Sequence, residues 1–172
     1  MDSLNQQVVF KQKGFAPEYF YSGAIFRFYM QEALNKYKAL SIKSRTELAL
    51  SEHIPLDMRP FLREDQWSVV RCYFARRADL SKEEVSCLIN DDDHVIRLCI
   101  AKRNDLTPEM VEKCVNDPDP NVRHAISRST LLSKLQSQQL CQDIDELVRL
   151  AAAKGPRAVQ YRQRPGQARL IK

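Results

Sequence analysis

At 172 residues, with 44% hydrophobic and 28% charged side chains, the chain has the size and make-up of one soluble globular domain. It opens on no basic, apolar leader, and its most apolar stretch, residues 19–30, is too short to cross a bilayer and contains Arg27. The net charge of +5 is uneven: residues 154–172 contribute +6, residues 1–38 contribute +2 and residues 39–153 contribute −3, which excludes a uniformly basic domain.

In chain order, residues 1–38 come first and hold nine of the fourteen aromatic side chains. From Pro17 to Ala39 the apolar residues recur at spacings of three and four, which predicts an amphipathic helix. Its expected role is to cap the open face of the adjoining segment, residues 39–154. A partner-binding or dimerising surface is the alternative, with Tyr19, Phe20, Phe26 and Tyr29 as its candidate contacts.

Residues 39–154 repeat with a period of 26. Val70-Arg71, Ile96-Arg97, Val122-Arg123 and Val148-Arg149 mark the register. Aspartates stand at 65, 91, 117 and 143, alanines at 75, 101 and 153 with Ser127 between them, and leucines at 80, 106 and 132. A fixed period of this length predicts stacked supersecondary units that bury their apolar faces only against one another. Each unit reads as two helices. The first is capped at Asp93, Asp119 or Asp145, with Trp67 breaking that column; the second is capped at Ser81, Thr107 or Ser133, and Pro108 and Pro120 take first helical positions. Ser81 with Glu84, and Ser133 with Gln136, have capping-box spacing. Arg45, Ala49 and Ile54 fit a degenerate earlier copy, so about four and a half units are expected.

Residues 155–172 are basic, with Gly155, Pro156, Pro165 and Gly166 among the arginines, and read as a flexible, extended tail.

The pattern Asp-x-Asp-x-x-Val-Arg-x-x-x-Ala-x-Arg-x-Asp-Leu resembles the leucine-rich repeat variant family of bacterial proteins and, more broadly, HEAT-like α-solenoids. The resemblance covers about two-thirds of the chain. It implies an all-α, right-handed α-solenoid with no sheet, in a bacterial cytoplasm. One branch of that family carries an iron–sulfur cluster on N-terminal cysteines. Here the first cysteine is Cys72, inside a repeat, so no cofactor is expected.

Matched periods place Asp65, Arg71, Asp91, Arg97, Asp117, Arg123, Asp143 and Arg149 in a structural ladder, because each carboxylate can accept charge-assisted bonds from a nearby arginine. A second basic row, Arg76, Lys102, Arg128 and Lys154, thickened by Arg77 and Arg103, sits where cations complement helix C-termini. With Arg157, Arg162, Arg164 and Arg169 of the tail, it is also the candidate site for an anion such as a nucleic-acid backbone. The cysteines lack metal-ligand spacing. Cys87, Cys114 and Cys141, like Cys72 and Cys99, are 27 apart, one residue off the repeat, so they are expected to rotate off a shared column and to serve as buried small hydrophobes. No metal site is expected. The three histidines pair with no nucleophile, and four glycines make no phosphate loop.

The leading expectation is therefore a non-enzymatic scaffold for an unidentified protein partner, with Trp67 among the contacts. Sequence-independent nucleic-acid binding is the alternative, and a HEAT-like DNA-base glycosylase using Trp67 a distant third.

Overall fold

In the computed structural model, which describes residues 23–172, helix α1 (Gly23–Ala39) is followed by nine helices of five to nine residues. They are α2 (Ile42–Leu50), α3 (Arg59–Arg63), α4 (Ser68–Ala75), α5 (Lys82–Leu88), α6 (His94–Ala101), α7 (Pro108–Val115), α8 (Pro120–Ile126), α9 (Lys134–Cys141) and α10 (Glu146–Ala153). Helices this short are marginal in water on their own, so packing and capping must hold them. Ser81, Thr107 and Ser133 accept the N3 amide of α5, α7 and α9, and Ser81 and Ser133 complete capping boxes with Glu84 and Gln136. Asp93, Asp119 and Asp145 cap α6, α8 and α10. Trp67 occupies the same position on α4 without a side-chain cap.

Helices α2, α4, α6, α8 and α10 contact one another in succession, and α3, α5, α7 and α9 pack against them as the second helix of each pair. The core is the register read from the sequence. Val70, Ile96, Val122 and Val148 are fully buried, as are Phe74, Ile100 and Ile126 one turn on. Ala49, Ala75, Ala101 and Ser127 are buried beside them, and small residues there let helices approach closely. The first unit departs from register. Pro55 stands in the cap column with no side-chain acceptor, a turn closed by Met58 N–H on Pro55 O comes next, and α3 starts only at Arg59.

At the start of the array, Tyr37 of α1 is buried. Its hydroxyl donates to Asp65 Oδ2 at 2.5 Å, its ring packs on Phe61 with centroids 5.5 Å apart, and the Arg45 guanidinium lies 4.9 Å above it. Burial, together with the Asp65 bond, pushes the phenol pKa up.

The C-terminal segment corrects the expectation of a flexible tail and of a fold without a sheet. Gly155 takes a positive φ of 71° just after the C-cap of α10, a usual helix exit. The chain then runs back along the array and forms a two-stranded antiparallel ribbon, β1 (Tyr161–Arg162) with β2 (Leu170–Ile171). Between the strands, Arg164-Pro165-Gly166-Gln167 closes a turn through Gln167 N–H on Arg164 O; proline second and glycine third, at φ 69°, suit type II geometry. The segment supplies donors for helix-end carbonyls that helices leave unpaired. Ala168 N–H bonds Leu50 O, Ile171 N–H bonds Arg76 O, and Arg157 N–H bonds Arg128 O. Ala168, Leu170 and Ile171 are buried. Glycine, proline and arginine here mark a turn and a strap rather than disorder.

Truncating Leu170 should therefore cost core stability. Leu170→Ala is expected to lower unfolding free energy by about 2–4 kcal/mol in a urea titration, whereas Arg164→Gln at the exposed turn should change it by less than about 0.5 kcal/mol. Equal, negligible effects would contradict the packed tail.

Candidate functional site

The outer face of α4, α6, α8 and α10 is built by the same 26-residue register that builds the core. Positions three, four and seven residues after the second residue of each helix share its face. That face carries Val69, Val95, Asn121 and Leu147, then Cys72, Leu98, His124 and Leu150, and at the helix C-termini Arg76, Lys102, Arg128 and Lys154. Val69, Val95 and Leu147 are 46%, 40% and 67% exposed, and Leu150 is exposed beside Leu147. At the N-terminal ends stand Asp92, Asp93, Asp119, Asp145 and Glu146, with His94 Nδ1 at 3.8 Å from Asp93 and 3.9 Å from Asp119. Exposed apolar side chains of α4, α6 and α10, interrupted on α8 by Asn121 and His124, thus stand between an acidic rim and a basic rim. Both rims complement the helix dipoles.

The ladder residues do a different job. Arg71 Nε and Nη2 donate to both oxygens of Asp91 at 2.8 and 3.0 Å, Arg97 to Asp117 at 2.8 and 3.0 Å, and Arg123 to Asp143 at 2.7 and 2.9 Å. Each remaining Nη1 donates backwards, to the main-chain oxygen of Asp65, Asp91 and Asp117 respectively. Each aspartate also accepts the amide two residues on, at Trp67, Asp93, Asp119 and Asp145. The degenerate unit joins in through Arg45 Nη1 and Asp65 at 3.2 Å. Arg149 bonds the carbonyls of Asp143 and Ile144. These groups are committed to structure.

Two members of the basic row require correction. Arg77 and Arg103 are 0% and 1% exposed and cannot reach a ligand. Arg77 is held bidentate by Asp79 at 2.8 Å and donates to Ala49 O and Ser51 O. Arg103 is held by Asp105 at 2.8 and 2.6 Å and donates to Arg77 O. The signal was present in the sequence as Arg-x-Asp repeated at 77–79 and 103–105, a second internal ladder. The other cations of the row stay at the surface. Arg76 and Arg128 each give Nε to a main-chain oxygen, of Ile171 and Gly155, while Lys102 and Lys154 are exposed. The folded tail lays Arg157, Arg164 and Arg169 along this edge as exposed cations, with Arg162 half-buried. The Arg169 guanidinium stacks 3.8 Å over the Tyr161 ring, and Tyr161 donates to Asn104.

Of the aromatic candidates, Tyr19 and Phe20, with the Phe26 side chain, lie outside the described residues. Tyr29 is exposed on α1 and Trp67 is exposed at the start of α4. The cysteines divide, which corrects their reading as uniformly buried. Cys99 and Cys114 are buried, Cys72 is half-buried, and Cys87 and Cys141 are exposed. The one-residue drift also does the opposite of separating Cys72 from Cys99. It moves the second thiol to the adjoining column of the next helix, and the two sulfurs lie 3.7 Å apart. Spacing measured along one column could not show a diagonal contact between neighbouring helices. Among the described residues no group of three or more His, Cys, Asp or Glu side chains is placed to hold a metal ion, and no helix is long and apolar enough to cross a membrane.

No family model, curated protein or solved structure matches the chain.

The ladder carries a pH signature. The Arg123 hydrogen bond holds the Asp143 carboxyl below the usual range, and Arg103 does the same for Asp105. A depressed carboxylate contributes stability that is complete above its unfolded value, about 3.9, and is lost as pH falls through the lower folded value. The stability gap between the wild-type chain and Asp143→Asn should therefore be largest at pH 7 and shrink toward pH 3 in urea titrations. A gap independent of pH would contradict the rung.

Proposed function

We propose that this chain is a non-enzymatic repeat scaffold that holds a helical segment of a partner protein along the face of α4, α6, α8 and α10. The observation that carries the reading is the set of exposed apolar side chains Val69, Val95, Leu147 and Leu150, broken on α8 by Asn121 and His124, between rims of opposite charge. Core packing makes no use of these four side chains, yet three of them keep the repeat register. A partner helix with an apolar stripe, acidic side chains toward Lys102 and Lys154, and basic ones toward Asp92 and Asp119 would match it in shape and sign. The successive packing of short helix pairs and the resemblance to leucine-rich repeat variant proteins support a right-handed, HEAT-like α-solenoid as the frame, and a bacterial cytoplasm as its setting.

Nucleic-acid binding is the second reading, favoured by the exposed Lys102, Lys154, Arg157, Arg164 and Arg169 on one edge. The acidic rim counts against a polyanion filling the face, because phosphates laid across it would meet Asp92, Asp93, Asp119 and Asp145.

A photo-crosslinking residue at position 95 of the full chain, expressed in its native cells, separates the two. The scaffold reading expects one defined protein adduct, absent when the probe is moved to position 83 on α5. Val69→Asp should weaken that adduct at least tenfold, the equivalent of about 1.4 kcal/mol. Nucleic acid in the adduct, or equal labelling from positions 95 and 83, would overturn it.

A further inference from the structure

Two thiols from consecutive units meet on the outer face. Cys72 of α4 and Cys99 of α6 have their sulfurs 3.7 Å apart, within hydrogen-bond reach and outside covalent distance. Their exposures differ in a useful way. Cys72 is half-buried and reachable, whereas Cys99 is buried behind it. The basic rim begins one turn away, with Arg76 on α4 and Lys102 at the end of α6, and Asp93 is the acidic group that faces the pair. Neither the ladder nor the charged rims use these thiols, which meet at the edge of the core. At the equivalent diagonals the next units have Leu98 with Ala125, and His124 with Ala151.

We propose that Cys72 and Cys99 form a peroxide-oxidisable dithiol, in which Cys72 is the attacking thiol and Cys99 the resolving one. Cys72, as thiolate, attacks one oxygen of a hydroperoxide. The O–O bond breaks, the sulfur takes up OH, and the released hydroxide combines with the proton Cys72 gave up, leaving as water when the oxidant is hydrogen peroxide. Cys99 sulfur then attacks the Cys72 sulfenic sulfur. The S–O bond breaks, the hydroxyl leaves as a second water with the Cys99 proton, and the S–S bond forms. Two thiols lose two electrons, and one hydrogen peroxide becomes two waters.

The surroundings favour this division of labour. The hydrogen bond from Cys99 lowers the Cys72 thiol, against the effect of burial and with help from Arg76 and Lys102. The same contact and deeper burial push the Cys99 thiol up. A lowered thiol carries more of the nucleophilic thiolate at neutral pH than a buried, raised one. Cys114 is buried alone and pushed up to about 12, so it is shielded from the same reaction. Cys87 and Cys141 are exposed and have no thiol beside them to close an internal bond. The disulfide would pin α4 to α6 on the outer face, one turn from Val69 and Lys102. Its formation does not depend on what that face binds.

Trypsin separates the relevant sites, cutting out residues 72–76 and 98–102 as short peptides apart from the other three cysteines. The full chain is treated with one equivalent of hydrogen peroxide, its remaining thiols are blocked with N-ethylmaleimide, and it is digested without reductant. The expected product is the 72–76 peptide disulfide-linked to the 98–102 peptide, at least fivefold above any other oxidised cysteine and abolished by dithiothreitol. In Cys99→Ser, whose hydroxyl can still donate to the Cys72 sulfur but cannot form a disulfide, Cys72 should instead stop at a sulfenic acid that dimedone traps, which separates loss of the resolving thiol from loss of the attack. Preferential oxidation of Cys87 or Cys141, disulfide-linked dimers as the main product, or a Cys72 no faster than Cys114 in the wild-type chain would overturn the proposal. The wild-type result decides the matter even if the variant does not fold.

Discussion

Arg71, Arg97 and Arg123 each clamp the aspartate twenty residues ahead with two nitrogens and the main-chain oxygen six residues behind with the third. One side chain thereby sets the position of two successive inter-unit turns. The aspartate completes the joint by accepting the amide two residues on, so its carboxylate orders its own turn as well as holding its neighbour's arginine. Taking a charged pair out of water costs several kcal/mol per ion unless every hydrogen-bonding site is answered. Here they are answered, and among the described residues no buried side-chain nitrogen or oxygen lacks a partner. Such a joint suits helices of seven to nine residues, which have too few turns to define their own stacking angle.

The ends of the array show what the joint needs. At the start, where Ala39 stands in the aspartate column, Arg45 turns to the carbonyls of Lys38 and Leu40, and Tyr37 closes over it. At the finish, Arg149 keeps its backward bonds to Asp143 and Ile144. The C-terminal strap then returns along the helix ends to pair the carbonyls of Leu50, Arg76 and Arg128. Positive charge that looked like an appendage is in this way laid along one edge of the repeats, opposite an acidic edge, with apolar side chains between.

Much of this was legible in the register. The buried valine, isoleucine and alanine columns, the caps at Ser81, Thr107, Asp93 and Asp119, and the Asp–Arg pairing all follow from a period of 26 and ordinary helix chemistry. What escaped was whatever depends on neighbours in space rather than in a column. Arg77 and Arg103 read as surface cations because burial is invisible in a charge count, although the Arg-x-Asp spacing pointed to their partners. Cys72 and Cys99 meet along a diagonal that a one-residue drift creates. In the tail, Pro165 and Gly166 are compatible with disorder and with a type II turn alike, and only the docking of Leu170 and Ile171 on the array decides between them.

The arginine–aspartate rung couples each unit to the next. A double-mutant cycle on Arg97→Ala and Asp117→Ala, with stabilities from urea titrations, measures that coupling directly. An interaction energy of about 2 kcal/mol or more is expected for this pair, and additivity within about 0.5 kcal/mol for the mismatched pair Arg71→Ala and Asp117→Ala. Additive losses at Arg97 and Asp117 would contradict it.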